Sequence, residues 1–137
     1  MSIPDFKLGA LLFTPGSALD RLPKAVASGA DGVIVDLEDS VGPADKDRVR
    51  GEVVSYFKRQ GRVPADRTFA SVIRCNNLRS AAGRADLDAL NAAALQPDFV
   101  MLSKVESAAE VMQAERKLPE EVRLICLIGT VLGVRFV

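Results

Sequence analysis

Residues 29–39 read Gly29-Ala30-Asp31-Gly32-Val33-Ile34-Val35-Asp36-Leu37-Glu38-Asp39. From Gly32 to Leu37 the run is apolar up to its acid, with three β-branched residues in a row, the pattern of a strand covered on both faces. Gly29 stands where a preceding helix would stop. The strand then ends on three acids within four residues. A two-face-buried strand that follows a helix and finishes in charge belongs to a parallel α/β sheet, where sites form at the C-terminal strand ends.

Working outward, the same alternation runs through the chain. Gly9 to Phe13 reads as a first strand, stopped by Pro15-Gly16. Ser17 is placed to cap a helix to about Ser28, with Leu19, Leu22 and Val26 on one face and Pro23 disturbing its first turn. A second helix spans about Ala44 to Arg59, with Val49, Val53 and Phe57 inward and Lys46, Asp47, Arg50 and Lys58 on the solvent side. Thr68 to Cys75 is a third strand, and Ala85 to Leu95 a helix with Leu87, Leu90 and Ala94 inward. Asp98 to Ser103 is a fourth strand. Ser107 and Glu110 have capping-box spacing for a helix ending near Leu118. Arg123 to Ile128 is a fifth strand, followed by Gly129-Thr130. The stretch Gln60 to Arg67 is the most linker-like, but it is short enough for an ordinary connection.

Strands separated by single helices imply parallel pairing through right-handed crossovers. An open doubly wound sheet and a (β/α)8 barrel both fit. Length alone favours the open sheet, since a whole barrel takes about 250 residues and this chain has 137. The charge at the strand ends argues the other way, because a barrel gathers those ends at one mouth.

Composition narrows the function. Lys+Arg and Asp+Glu are both 18, so no overall field draws nucleic acid or an anionic membrane. Aromatics at 5% are too few for base-stacking surfaces. Met1-Ser2-Ile3-Pro4-Asp5 lacks a signal-peptide pattern, and no apolar run nears the ~20 residues of a membrane span. Cys75 and Cys126 lie in apolar strands and read as buried, reduced thiols of a cytoplasmic protein. There is no His, which excludes His-based acid–base and His-metal chemistry within the chain. Neither a zinc spacing of Cys nor a nucleotide-binding glycine motif is present.

The candidate chemistry lies at three strand ends: Asp36-Leu37-Glu38-Asp39, Arg74-Cys75-Asn76-Asn77 and Ser103-Lys104-Val105-Glu106. Asp36 and Glu38 are two apart and share a face while the strand persists. Facing a barrel mouth, they could hold a hydrated cation, orient a base or clamp a cationic side chain. Burying them demands a counter-charge, and Arg74 and Lys104 are the natural ones. A stabilising ion network without chemistry uses the same residues. Thr14-Pro15-Gly16-Ser17 is either an anion-binding turn or a plain turn and cap. Asn76 and Asn77 are read as turn formers.

Leu11-Leu12-Phe13-Thr14-Pro15-Gly16, the segment Ala27 to Asp39, Val72-Ile73-Arg74-Cys75-Asn76 and Met101 to Ser107 occur in an order that resembles the citrate lyase β-subunit branch of the HpcH/HpaI aldolase family. The segment Leu124 to Thr130 falls where that family has a strand ending in Glu-Thr. The resemblance covers essentially the whole chain and implies a TIM-barrel-type (β/α)8 fold, of which this chain holds about the first five strands and four helices. It implies a carbon–carbon lyase that cleaves a 3-hydroxyacyl-CoA thioester of the citryl-, malyl- or citramalyl-CoA type by Mg²⁺-assisted retro-Claisen chemistry. On that basis Asp36, Glu38 and Lys104 are expected in catalysis and Arg74 in substrate binding, with a CoA thioester as the small-molecule partner and a homo-oligomer as the assembly.

The chain also departs from the family pattern. The position of the metal-ligating Glu is Gly129, and the second metal ligand is expected on a strand beyond Val137, so no metal ligand is assigned. The first strand opens with Gly9-Ala10 where the family has Arg-Ser. Residues 133–137 are expected to leave the fifth strand without a covering helix, as in a truncated barrel. Two further readings follow: an inactive half-barrel that acts only by associating with another chain, and a metal-dependent aldolase of free 2-keto acids. The absence of His disfavours the aldolase.

Overall fold

A computed structural model of the chain describes residues 8–61 and 68–136. The expected N-terminal reading over residues 1–5 and most of the 60–67 connection lie outside them. The order of elements is β1 (Leu11–Pro15), a 3-10 turn (Leu19–Arg21), α1 (Leu22–Val26), β2 (Gly32–Asp36), a second 3-10 turn (Pro43–Asp45), α2 (Lys46–Gln60), β3 (Ala70–Cys75), α3 (Ala81–Ala92), β4 (Phe99–Leu102), α4 (Ala108–Lys117), β5 (Arg123–Cys126) and α5 (Val131–Phe136).

The five strands form one parallel sheet in the order β1-β2-β3-β4-β5. An open doubly wound sheet reverses its strand order partway and carries helices on both faces. Sequential order with right-handed crossovers keeps every helix on one face. The packing follows that rule. Val33, Val35, Ile73, Cys75, Val100 and Leu102 share a core with Leu22, Val49, Val53, Phe57, Leu87, Leu90 and Ala114 of the helices. The alternate residues Ile34, Ala70, Val72, Phe99 and Met101, with Leu11, Ile125 and Leu127 just past β5, make a second cluster to which no helix contributes. That second face is the lining of a TIM-barrel-type interior.

β2 is buried at all five positions because its two faces meet these two clusters. Val49, Val53 and Phe57 of α2 are buried as their spacing predicts. At Gly29 the chain turns at φ +84°, a conformation that favours glycine. Ser107 and Glu110 build the expected start of α4, the Glu110 carboxylate accepting the Ser107 amide at 2.9 Å.

Several expectations need correction. The first helix is only five residues after a 3-10 turn, and neither element has a side-chain cap, so Ser17 does not start it. Pro23 falls in its first turn, where a missing N–H costs nothing. α3 begins at Ala81, because Ser80 caps it by accepting the Gly83 amide at 3.0 Å. Ala94 lies past its end, exposed and at φ +49°. Arg50 is not on the solvent face: its side chain is 11% exposed and turns inward to an acid. Cys126 is exposed while Cys75 is buried, since β5 is the outer strand of the sheet. Helix α5 follows β5, where no helix was expected.

Candidate functional site at the C-terminal strand edge

Register places Asp36 directly opposite Arg74 on the neighbouring strand, both on the lining face. The guanidinium grips the Asp36 carboxylate at two points, Nε to Oδ1 at 2.7 Å and Nη2 to Oδ2 at 2.8 Å. Its remaining nitrogen, Nη1, lies 3.0 Å from Glu38 Oε2. The other Glu38 oxygen faces Lys104 Nζ at 2.9 Å. The expected quartet Asp36, Glu38, Arg74 and Lys104 is therefore one continuous ion network drawn from three strand ends. Asp39 joins its rim, 3.6 Å from Lys104 and 3.9 Å from Arg74.

Burial and electrostatics differ along this network. Burial alone pushes the Asp36 carboxyl up. Hydrogen bonds from Arg74, from the Ser40 side chain and from the Glu38 and Ser40 amides outweigh it and hold the group at about 2. Asp36 is thus an anion at neutral pH and anchors Arg74. Lys104 is more open, with 45% of its side chain exposed, and its contact with Glu38 raises its pKa. Phe13 on β1 lays its half-exposed ring under the Arg74 guanidinium, 4.8 Å from centroid to Cζ.

The backbone around Lys104 is shaped to present it. Leu127 pairs with both neighbours of a two-residue bulge, donating to the Leu102 carbonyl and accepting from the Val105 amide, each at 2.9 Å. Ser103 and Lys104 loop out between them, and Lys104 adopts φ +52°. The Ser103 hydroxyl donates to the Cys75 carbonyl at 2.8 Å, and Arg79 holds the Lys104 carbonyl at 3.0 Å. Arg79 also pairs with Glu106 at 3.3 Å and with Glu110.

Sequence reasoning placed Asp39 and Glu106 at the strand ends and Glu110 in a capping box without joining them to an ion pair, and it passed over Arg79 and the buried Arg50–Asp86 pair. The signal for the last was available: Asp86 precedes Leu87 and lies four before Leu90, and Arg50 lies three before Val53, so both fall on buried helix faces. The Thr14–Ser17 turn proves structural. Gly16 donates its amide to the Asp36 carbonyl at 2.8 Å, and a Cβ there would meet that same oxygen at 2.8 Å. Asn77 is a turn former, its Oδ1 accepting the Ser80 amide, whereas Asn76 is buried within the strand end.

The residues present do not fit a magnesium ion. Asp36 and Glu38 are spent on Arg74 and Lys104, and Gly129 has no donor. Among the described residues no three His, Cys, Asp or Glu side chains converge as a metal-binding group. A Cβ built at Gly129 has nothing within 4 Å, so a longer side chain would find room there.

Sequential parallel strands, helices on one face and a charged cluster at the C-terminal edge define the TIM-barrel-type class. The family is given by comparison: residues 9–134 match the HpcH/HpaI aldolase/citrate lyase family, and the chain belongs to it. A citrate lyase subunit beta-like protein of Deinococcus radiodurans is 30% identical over 122 residues, covering 88% of this chain and 41% of the relative. A (3S)-malyl-CoA thioesterase of Cereibacter sphaeroides is 32% identical over 130 residues, covering 90% and 41%. The structure of protein CitE from Mycobacterium tuberculosis in complex with magnesium, acetoacetate and coenzyme A superposes with a TM-score of 0.72 at 33% identity. It covers 95% of this chain and 44% of that one. The chain thus spans about two-fifths of the length of the curated relatives it matches.

Proposed function

We propose that residues 1–137 form the N-terminal part of a single barrel domain that cleaves a carbon–carbon bond in a 3-hydroxyacyl-CoA thioester. The observation that carries this reading is the ion network of Asp36, Glu38, Arg74 and Lys104 at the strand ends of a chain in this family. In a retro-Claisen cleavage the 3-hydroxyl loses its proton and the bond between C2 and C3 breaks. C3 becomes a carbonyl, the electron pair passes to the thioester enolate, and a proton on C2 completes the acyl-CoA product.

Negative charge thus develops at two oxygens, and cations fixed beforehand stabilise it without reorganising. Lys104, the exposed cation, meets the substrate's carboxylate or enolate oxygen. Arg74 contributes the guanidinium protons left over from Asp36 and Glu38, in the fork geometry suited to a carboxylate. Asp36 fixes Arg74, and Glu38 sets the charge and position of Lys104. Citryl-, malyl- and citramalyl-CoA are all substrates of this type. Mg²⁺ belongs to this chemistry in the family, but its donors are not among the described residues. Two free thiols suit a reducing compartment, so the working place is the cytoplasm.

The test is release of acyl-CoA from citryl-, (3S)-malyl- and citramalyl-CoA by the purified chain with Mg²⁺. Turnover should fall at least 100-fold in Arg74→Ala and Lys104→Ala. No turnover on any of the three by a folded protein carrying the whole barrel domain would overturn the catalytic reading.

A second reading has its own observation. Leu12 and Phe13 on β1, and Val131, Leu132 and Val134 on α5, are exposed at the two ends of the sheet. Such edges invite pairing, which suits a non-catalytic half-barrel acting as a homo-oligomer or with another chain. Light scattering that shows only a monomer would remove the homo-oligomer form of this reading.

A further inference from the structure

Asp86 lies on α3, outside the ion network, with its side chain 1% exposed. Its Oδ1 accepts from Arg50 Nε on α2 at 2.7 Å. Its Oδ2 is directed at the end of β3, accepting the Asn76 backbone amide at 2.9 Å and the Asn76 side-chain Nδ2 at 2.7 Å. Asn76 Nδ2 also donates to the Leu37 carbonyl at 2.8 Å, across to the end of β2. Leu37 separates Asp36 from Glu38, and its amide donates back to the Arg74 carbonyl at 3.0 Å. Lys46 Nζ clasps the Leu37 and Glu38 carbonyls at 3.2 and 2.8 Å.

A buried acid needs a partner, and Arg50 supplies one. That pairing alone would leave the second oxygen of Asp86 without a task. Instead it orients a carboxamide two residues after Arg74, and that carboxamide pins the peptide between the two acids that Arg74 must hold.

We propose that Asp86 is a positioning residue for the mouth, working through Asn76 and the Leu37 carbonyl to set the bend that brings Asp36 and Glu38 onto two sides of the Arg74 guanidinium. Its importance for catalysis rests on the reading of the strand-end network as the active site. The geometric claim does not.

The experiment follows solvent exchange of the Arg74 Nε proton by NMR in the full chain, with no substrate present. In the wild type the nitrogen that carries this proton lies 2.7 Å from Asp36 Oδ1, so the proton should exchange slowly. Asp86→Asn and Asn76→Ala should each speed its exchange at least tenfold. Leu90→Ala truncates a core side chain of the same helix and should leave the exchange within twofold. If Asp86→Asn does not fold, Asn76→Ala decides, because it keeps the Asp86–Arg50 pair. Exchange within twofold of wild type in Asn76→Ala overturns the proposal, as does an equal acceleration in Leu90→Ala. Failure of thioester turnover would sink the proposed function and leave this result standing.

Discussion

Asp36 and Arg74 are 38 residues apart in sequence yet directly opposite in register, and they meet as a two-point ion pair at 2.7 and 2.8 Å. The pair is nearly dry, with side-chain exposures of 3% and 13%. A charge so placed is costly to strand, which makes the pair the most sensitive point of the mouth.

Its first consequence is a pH dependence. The Asp36 carboxyl is depressed from 3.8 to about 2 in the folded chain. A depressed acid stabilises the fold above its unfolded pKa and loses that contribution as pH falls through the folded one. At about 1.4 kcal/mol per unit, the pair contributes about 2 kcal/mol above pH ~4 that disappears towards pH ~2. Urea unfolding across this range should show the slope in wild type and a shallower one in Asp36→Asn, where the depressed Glu110 still contributes. At pH 7 that variant should be about 3 kcal/mol less stable.

Lys104 sits at φ +52°, where a side chain is strained. Lys104→Ala and Lys104→Gly both remove the ammonium, so their difference isolates the backbone. The glycine variant should be more stable than the alanine variant by about 1 kcal/mol. Equal midpoints in denaturant would show that the bulge at 103–104 relaxes freely.

Gly129 faces open space, and Gly129→Glu should fold with a melting temperature within a few degrees of wild type. Because the wild-type carboxylates are held by Arg74 and Lys104, Mn²⁺ followed by electron paramagnetic resonance should show no saturable site below millimolar concentration. Gly129→Glu adds a donor at the strand edge and should bind Mn²⁺ measurably more tightly. Tight binding by wild type would mean that the ion network opens for metal.

Glu110 accepts the Glu106 and Ser107 amides at 2.7 and 2.9 Å and pairs with Arg79, which in turn holds the Lys104 carbonyl. Burial opposes its ionisation, but these amides and Arg79 outweigh it and hold its pKa below the ordinary value. Glu110→Ala uncaps α4 and frees Arg79. It should cost about 1–2 kcal/mol and raise amide hydrogen exchange from 104 to 107, measured by mass spectrometry.

The strand-and-helix alternation was legible because its causes are local. A β-branched run such as Val33-Ile34-Val35 and a four-residue repeat such as Val49, Val53 and Phe57 announce themselves within one element. Boundaries were less legible where a cap decided them: Ser80 caps α3 so that it starts at Ala81, four residues before the expected Ala85. Arg50 lies beside the buried stripe of α2, but whether its long side chain turns inward or to solvent is decided by Asp86, 36 residues away. Cys126 was misjudged because an apolar strand is buried only if something lies beyond it, and β5 is the outer strand.

Which residues reach the C-terminal edge is set locally. Asp36, Glu38, Arg74 and Lys104 follow runs whose patterns are set by nearest neighbours, and the family motifs lie in those same runs. The strand order, the single helical face and the pairing of Arg74 with both acids arise in the packed fold. Those depend on register between distant segments, and on which of two alternating faces each strand turns inward.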